Sequence, residues 1–231
     1  MSLPEWRVSV DVDELVPLVA EALCLVAEAA LAARGVFHLV LAGGSTPRAV
    51  YRALAARNAG DARWHLWYGD ERCVPATHPD RNSVMAEKAW LAASRIPTAN
   101  RRPIPAEAGA DQAALAYADR LADVPDFDLV LLGMGEDGHT ASLFPGHKWG
   151  EVPGSPDVLA VHDAPKPPAE RVSLSAARLS RSTQVWFIIT GSGKRHALRN
   201  WATGEALPVA AVQGRRQTLA WVDSLAWPAD D

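Results

Sequence analysis

The stretch GVFHLVLAGGSTPRAVYRAL (35–54) contains the structural unit that repeats through the rest of the chain. Residues 36–41 form a short run that is apolar apart from His38, which is typical of a buried strand. Two glycines and the polar residues Ser45 and Thr46 follow, and residues 48–57 have the spacing of an amphipathic helix. The stretch therefore predicts a strand, a tight turn and a helix in direct succession.

The same alternation of strand and helix recurs along the sequence. The further predicted strands are 64–68, 127–132, 185–190 and 218–222, and the further predicted helices are 11–34, 83–93, 111–122 and a segment after Gly193. Strands that alternate with helices form βαβ units, so the pattern predicts an α/β protein with a mainly parallel sheet covered by helices on both faces. A length of 231 residues fits one large α/β domain, and we expect a single domain over 1–231.

Three predicted loops directly follow strands, at 42–47, 69–82 and 133–146. Ligands of parallel α/β sheets bind at the carboxyl ends of the strands, so these loops are the places to seek chemistry. Residues 133–156 and 146–168 are rich in glycine and proline and are expected to form long connections without regular structure. A loop of that length inside a compact domain is usually functional.

Composition excludes several classes of protein. The net charge is −4 and there is no basic block, so a nucleic-acid surface is not expected. Cys24 and Cys73 form no CxxC pair, and no HxxxH or HExxH motif occurs, so no metal is expected. There is no GxxxxGK[ST] motif, which argues against a nucleoside triphosphate.

The beginning of the chain and its apolar runs bear on location. Residues 1–10 have no secretory h-region, and no apolar run reaches the roughly 18 residues needed to span a bilayer. We therefore expect a cytoplasmic protein that does not insert into a membrane.

The turn GGSTP (43–47) has two interpretations. Gly43 and Gly44 allow a ligand to approach the backbone closely, and Ser45 or Thr46 can cap the following helix. Free N–H groups and the helix dipole at such a turn favour an anion, typically phosphate. A plain strand-to-helix turn with a good cap is equally consistent with this loop alone.

Three further positions carry charges where an anion could bind. Arg72 follows a strand end and can clamp a phosphate, while Asp70 can accept hydrogen bonds from sugar hydroxyls. Taken alone, this loop is better explained by a surface ion pair between its acidic residues and Arg72 than by a binding site. Lys194 can bind a phosphate, or it can be an ordinary solvent-exposed lysine. The segment 166–168, together with Arg171, can cover an anionic substrate, or it can be a linker.

The most informative loop is GMGEDGHT (133–140). Its first six residues match GxGxxG, but Glu136 and Asp137 would repel a pyrophosphate, and Pro145 follows too soon for a dinucleotide-binding helix. Asp137 and His139 lie two residues apart, so in extended backbone their side chains project the same way. We therefore expect His139 to act as a general base oriented by Asp137, with loop N–H groups near Gly138 as oxyanion donors.

Taken together, these loops resemble the 6-phosphogluconolactonase family, within the larger group that includes glucosamine-6-phosphate deaminases. The matching segments, in the family's order, are LAGGSTPRAVYRAL (41–54), YGDERCVPATHPDRN (68–82), FDLVLLGMGEDGHTASLFPG (127–146), APKPPAERVSLS (164–175) and VWFIITGSGKRHAL (185–198). The resemblance implies a Rossmann-like sheet and hydrolysis of 6-phospho-D-glucono-1,5-lactone in the oxidative pentose phosphate pathway, with no cofactor.

The resemblance also implies roles for individual residues. His139 corresponds to the general base and Asp137 to the acidic residue before it. The positions matched to substrate and phosphate binding are Gly43, Gly44, Ser45, Thr46, Asp70, Arg72, Asn82, Arg171 and Lys194. The chain departs from the family at Arg81, at Ser83 and in the stretch 174–182.

Two other functions remain open. A deaminase of amino-sugar phosphates would carry an Asn-Glu-Pro segment soon after the histidine, whereas Ser142 to Pro145 supply no carboxylate. A non-enzymatic sugar-phosphate sensor would usually carry a second domain. The expected partner is a small phosphosugar lactone, and the expected assembly is a monomer or a weak homo-oligomer.

Overall fold

Two β-sheets and six α-helices make up the part of the chain that the computed structural model describes, residues 3–152 and 154–228. Both ends of the predicted domain 1–231 therefore lie outside the described residues, as does residue 153 within the two predicted long connections. The strands are β1 (Glu5–Ser9), β2 (Phe37–Leu41), β3 (Trp64–Tyr68), β4 (Asp70–Arg72), β5 (Phe127–Leu132), β6 (Val158–Val161), β7 (Arg171–Leu174), β8 (Ser182–Ile189) and β9 (Gln217–Asp223). The helices are α1 (Val12–Arg34), α2 (Ser45–Ala56), α3 (Asn82–Ala89), α4 (Ala110–Leu121), α5 (Ala176–Ser180) and α6 (Arg195–Ala202).

The main sheet has six strands in the order β1-β9-β8-β5-β2-β3, and every pairing in it is parallel. This confirms the predicted α/β class with a parallel sheet. All six residues of β5, FDLVLL, are buried, as expected for a strand covered on both faces. Because the strands are parallel, the loops after β2, β3, β5 and β8 emerge at the same edge of the sheet.

Helix α1 shows how the local sequence sets these elements. The Asp11 side chain accepts a hydrogen bond from the Glu14 N–H at the start of the helix, and Gly35 at φ 74° ends it in the left-handed conformation. Leu15, Val19 and Leu23 recur at helical spacing and are completely buried against the sheet side of the molecule. Helix α1 therefore packs as an amphipathic core helix.

The same helix corrects the expectation that no apolar run is long enough to cross a membrane. Its 23 residues reach a mean hydropathy of 2.0 in the most apolar window, which meets the requirement by length and composition. One such helix is weak evidence, because core helices of soluble proteins meet the same requirement. In this structure one face of α1 is buried, while Leu18 and Leu25 on the other face are exposed.

A second sheet, which the sequence did not predict, has three antiparallel strands in the order β4-β7-β6. It lies within regions expected to be loops: β4 falls in 69–82 and β6 in 146–168. Strand β1 and helix α5 were also not predicted. These elements have between three and five residues, so they carry too little periodicity to be recognised and depend on long-range pairing.

Two half-buried histidines lie side by side on the two strands at one edge of the main sheet. His38 in β2 is the register partner of His65 in β3, and their rings stack with centroids 5.0 Å apart. The Trp67 Nε1–H donates to His38 Nδ1 at 3.2 Å, and the Arg102 guanidinium lies 3.2 Å from His65 Nδ1. Burial, together with the positive charges of His65 and Arg102, lowers the pKa of His38 to about 4. The fold therefore holds His38 neutral.

This histidine should make stability depend on pH. Unfolded His38 has its ordinary pKa near 6.5 and folded His38 a pKa near 4, so the unfolded state binds more protons between these values. Stability is therefore lost as the pH falls from 6.5 towards 4. After discounting for partial exposure, we expect the free energy of unfolding to fall by about 1–2 kcal/mol more in the wild type than in His38→Gln.

Denaturant unfolding over a pH series checks this expectation. His196→Gln, at an exposed site on α6, is the matched control because it removes an imidazole outside the core. A pH dependence in His38→Gln as steep as that of the wild type would contradict the assignment.

Candidate active site

A cleft of about 240 Å³ opens where the carboxyl ends of β2, β3, β5 and β8 meet. That volume suits one small ligand. The predicted site residues that line it are Gly43, Gly44, Ser45, Thr46, Asp70, Arg72, Asn82, His139, Arg171 and Lys194. The cleft is also lined by residues outside that prediction, among them Gly135, Ala141, Lys166 and Thr190.

His139 and Asp137 form a hydrogen-bonded pair beside this cleft. His139 Nδ1 lies 2.5 Å from Asp137 Oδ1, and the His139 backbone N–H points to the same oxygen at 3.3 Å. A carboxylate only accepts hydrogen bonds, so Nδ1 carries the proton and Nε2 is left as the basic nitrogen. The predicted orienting partner of the histidine is therefore in hydrogen-bonding contact with it.

Burial and the interaction between His139 and Asp137 together determine the pKa values of this pair. Burial lowers the pKa of His139, against the opposing attraction of Asp137. Burial alone would raise the pKa of Asp137, but the charge and hydrogen bonds of His139 bring that pKa below its ordinary value. At neutral pH the pair is thus a neutral imidazole beside a carboxylate, which is the state a general base requires.

Glycine at 135 is required for this arrangement. A Cβ on Gly135 would lie 2.0 Å from His139 Nδ1 and 2.5 Å from Asp137 Oδ1. The Gly135 N–H also donates to the His139 carbonyl at 2.8 Å, which closes the loop on itself. Gly135, the second glycine of the GxGxxG match, therefore makes room for the histidine. The dinucleotide-binding pattern needs a helix directly after its glycines, and no helix begins there in the described residues.

The turn after His139 connects the loop to the second sheet. Thr140 and Leu143 exchange backbone hydrogen bonds, and Ala141 between them has φ 48°, an unusual value for a residue with a Cβ. The buried Ser142 hydroxyl donates to Asp70 Oδ2 at 2.7 Å. The loop that carries His139 is thereby linked to the start of β4 in the second sheet.

Asp70 is held by the protein on both of its carboxylate oxygens. Oδ1 accepts from Asn82 Nδ2 at 3.0 Å, and Oδ2 accepts from Ser142. Asn82 in turn lies so close to the first loop that a Cβ on Gly43 would be 2.0 Å from its Oδ1. Asp70 and Asn82 therefore join the three loops into one wall of the cleft, and Gly43 is needed for their close approach.

The glycine turn opens helix α2 as predicted, but the helix begins earlier than expected, at Ser45. Gly44 is the N-cap at φ 108°, and neither Ser45 nor Thr46 caps the helix with its side chain. The Thr46 hydroxyl is instead 2.6 Å from that of Thr190, at the end of β8. The first N–H groups of α2 have no partner within the helix, so they remain available to an anion in the cleft.

Four cationic side chains line the cleft, and two of them are anchored to carbonyl groups. Arg72 Nη1 donates to the Asp80 carbonyl at 2.8 Å, and Arg171 donates to the Lys166 carbonyl at 2.8 Å. Lys194 is half-buried just before α6, and burial lowers its pKa. The cleft therefore combines several positive charges with the open end of α2, an arrangement that suits a phosphate.

Gly138 does not have the role predicted for it. It does not line the cleft, and its N–H donates to the Gly135 carbonyl at 3.2 Å. Its φ of 81° and the side chain of Leu207, 2.9 Å from an added Cβ, give it a structural reason to be glycine. In this structure the amide of Gly138 is therefore bonded within the loop.

The two departures at 81 and 83 lie behind the cleft. Arg81 and Ser83 both contact Glu71, which is completely buried and also accepts a hydrogen bond from the Asn82 N–H at 2.7 Å. Arg81 reaches Glu107 as well, at 3.0 Å. These residues fix the position of Asn82 without lining the cleft themselves.

Sequence reasoning missed several residues that complete the site. Ser142 and Thr190 act on the predicted residues Asp70 and Thr46 through side-chain contacts, which no spacing in the sequence reveals. Lys166 was noted only as part of a basic segment. Among the residues that the structure describes, no group of three histidine, cysteine or acidic side chains is placed to hold a metal ion.

With this geometry established, comparison with known proteins identifies the relatives of the chain. Residues 10–221 match the model of the family described as glucosamine-6-phosphate isomerases/6-phosphogluconolactonase. The chain belongs to this family.

Members of the family with curated names resemble the chain over most of its length. The 6-phosphogluconolactonase of Mycobacterium tuberculosis is 38% identical over 231 residues, covering 92% of this chain and 93% of the relative. That of Synechocystis is 39% identical over 188 residues, covering 78% and 77%. The curated relatives thus carry the name of a lactone hydrolase.

Solved structures of the family have the same fold. The 6-phosphogluconolactonase of Thermotoga maritima superimposes with a TM-score of 0.87 at 28% identity, covering 96% of this chain and all of that one. The Trypanosoma brucei 6-phosphogluconolactonase gives a TM-score of 0.85 at 28% identity, covering 98% of both chains. A monomeric glucosamine-6-phosphate deaminase, at 17% identity and a TM-score of 0.79, shares the fold alone.

Proposed function

We propose that this protein is a 6-phosphogluconolactonase, which hydrolyses 6-phospho-D-glucono-1,5-lactone to 6-phospho-D-gluconate. The observation that carries the proposal is that one cleft combines the His139–Asp137 pair with a cationic, amide-lined anion site. The names of the curated relatives support the same activity. The reaction is the second step of the oxidative pentose phosphate pathway, and we propose that it proceeds without metal or cofactor.

The mechanism needs only a positioned water, a base and a fixed substrate. His139 Nε2 takes a proton from the water as its oxygen attacks C1 of the lactone, and Asp137 stabilises the imidazolium that forms. When the tetrahedral intermediate collapses, the C1–O5 bond breaks and the imidazolium returns its proton to the ring oxygen. The amide groups at the start of α2, with Arg72, Arg171 and Lys194, hold the phosphate and so fix C1 relative to the base.

The deaminase alternative is less well supported by the cleft. Ser142, Leu143 and Phe144 occupy the positions where a deaminase would need a carboxylate, and Ser142 is bonded to Asp70. Within 3–152 and 154–228, Asp70 is the one carboxylate that lines the cleft. We therefore favour hydrolysis of a lactone over isomerisation with loss of ammonia.

We further propose that residues 1–231 form a single domain, that the protein acts in the cytoplasm, and that it works as a monomer or a weak homo-oligomer. Its relatives are named as metabolic enzymes, and one parallel sheet organises the fold. Its partner is then a small phosphosugar lactone, with neither nucleic acid nor membrane involved.

A coupled assay tests the activity directly. Freshly prepared 6-phosphogluconolactone should disappear much faster with the enzyme than by spontaneous hydrolysis, with 6-phosphogluconate as the product. Ammonia release from glucosamine 6-phosphate would instead establish the deaminase, and thermal stabilisation by sugar phosphate without turnover would indicate a sensor.

A further inference from the structure

The segment 164–169, here called the strap, crosses one side of the cleft. It is closed by a hydrogen bond from the Ala164 N–H to the Ala169 carbonyl at 3.0 Å. Arg171 holds it from beneath by donating from Nη2 to the Lys166 carbonyl at 2.8 Å and from Nε to the Pro168 carbonyl at 3.1 Å. Only 5% of Arg171 is exposed, so the strap rests on a buried anchor.

This anchor also connects the strap to the base. The Arg171 guanidinium lies over the Phe144 ring at 5.5 Å, and Phe144 packs against the His139 ring at 4.7 Å. Strap, arginine, phenylalanine and histidine therefore form one continuous stack of contacts. The position of the strap relative to His139 is fixed by packing.

Lys166 is the charged residue of the strap, and its side chain lines the same cleft as His139. The chain has only four lysines, and two of them, Lys166 and Lys194, line this cleft. Among residues 3–152 and 154–228, the Lys166 ammonium makes no ion pair or hydrogen bond with a carboxylate. An exposed cation at the rim of a cleft, without such a partner among these residues, is free to bind a ligand.

The charge of Lys166 affects the pKa values of two other residues that line the cleft, Lys194 and His139. Burial is the main reason that the pKa of Lys194 is lowered, and repulsion from Lys166 lowers it further. The charge of Lys166 also contributes to the lowered pKa of His139. The cleft thus brings two ammonium groups near each other, and a bound dianion would relieve that repulsion.

We propose that Lys166 is a substrate-binding residue, which the strap presents to the phosphate of the substrate so that Lys166 and Lys194 grip it together. The inference rests on the proposed function, because it names a further contact of that same site. Arg171 then has a second task as a positioning residue, since its bonds to the strap carbonyls set where Lys166 can reach.

The proposal predicts a loss that depends on the phosphate. Lys166→Met should lower kcat/KM for the phosphorylated lactone by roughly tenfold to a hundredfold, the usual effect of losing one hydrogen bond to a charged group. For unphosphorylated glucono-1,5-lactone, kcat/KM should change by less than about twofold. Lys166→Arg should retain most of the wild-type value, because it keeps the charge.

Lys148→Met is the matched control, because Lys148 is exposed outside the cleft and its replacement should change neither substrate. Equal losses on both lactones would overturn the proposal and assign Lys166 to the reacting carbonyl. Wild-type behaviour of Lys166→Met on the phosphorylated lactone would overturn it as well.

A pH profile separates binding by Lys166 from a merely structural role of the strap. Removing the positive charge should raise the pKa of His139, so the acid limb of kcat/KM moves to higher pH in Lys166→Met and stays in place in Lys166→Arg. An unmoved limb in Lys166→Met would place the ammonium away from the base and contradict the geometry.

Binding of inorganic phosphate, followed by calorimetry, tests the inference without turnover. Lys166→Met should bind phosphate about tenfold more weakly than Lys148→Met, whether or not the wild type hydrolyses the lactone. Failure of the wild type to hydrolyse lactone would sink the proposed function alone. Equal phosphate affinity in the two variants would sink the role of Lys166 alone.

Discussion

Replacing His139 by alanine should lower kcat for lactone hydrolysis by about 10²–10⁴-fold, the usual contribution of a general base. KM should change little, because the phosphate contacts are made by other side chains. In the wild type, the lowered pKa of His139 keeps the imidazole unprotonated at neutral pH, and kcat/KM should fall only when the pH drops below that pKa. Steady-state kinetics from pH 5 to 8 measure both effects.

His147→Ala provides the matched control for this substitution. His147 lies in the same loop region and its ring contacts Phe144, but it is exposed and does not line the cleft. Its replacement should leave kcat close to that of the wild type. A His139→Ala enzyme with near-normal kcat would remove the base from the mechanism, whatever the control showed.

The second large effect is expected from Gly135→Ala. The added methyl group would occupy the space of His139 Nδ1 and of Asp137 Oδ1, so the two side chains cannot keep their hydrogen bond. We expect kcat to approach that of His139→Ala while the main sheet stays folded, because Gly135 lies in a loop. Kinetics, together with circular dichroism and a thermal melt, measure the activity and the fold separately.

Gly133→Ala is the internal comparison for this variant. A Cβ at 133 meets no atom within 4 Å, and its backbone is not in the left-handed region. The titration of the His139 imidazole by NMR should therefore match the wild type in Gly133→Ala and change in Gly135→Ala. If Gly135→Ala retained a normal titration and a normal kcat, the glycine would not be making room for the pair.

Much of the fold follows from patterns that the sequence displays openly. Residues 127–132 are apolar except for Asp128 and end in a glycine loop, and 11–34 combine helical spacing with Asp11 and Gly35 as caps, so both elements could be predicted. The second sheet could not, because its strands Asp70–Arg72 and Arg171–Leu174 are short, partly polar and meaningful only once paired across the chain.

In the candidate site, too, contacts between residues close in the sequence could be predicted and long-range contacts could not. His139 and Asp137 are neighbours in the sequence, and their hydrogen bond could be anticipated from spacing alone. Ser142 and Thr190 hold Asp70 and Thr46 across 72 and 144 residues of chain, and no local pattern encodes such contacts. Gly138 was assigned a chemical role because loop amides are common donors, but its N–H is already bonded to Gly135.

The order of strands in the main sheet bears on how the protein is made. Glu5–Ser9 is synthesised some 200 residues before its neighbour in the sheet, Gln217–Asp223. Until Gln217–Asp223 has been made, Glu5–Ser9 has no partner strand, and one edge of Ser182–Ile189 stays open to other chains. The main sheet is therefore completed only when Gln217–Asp223 inserts between these two strands.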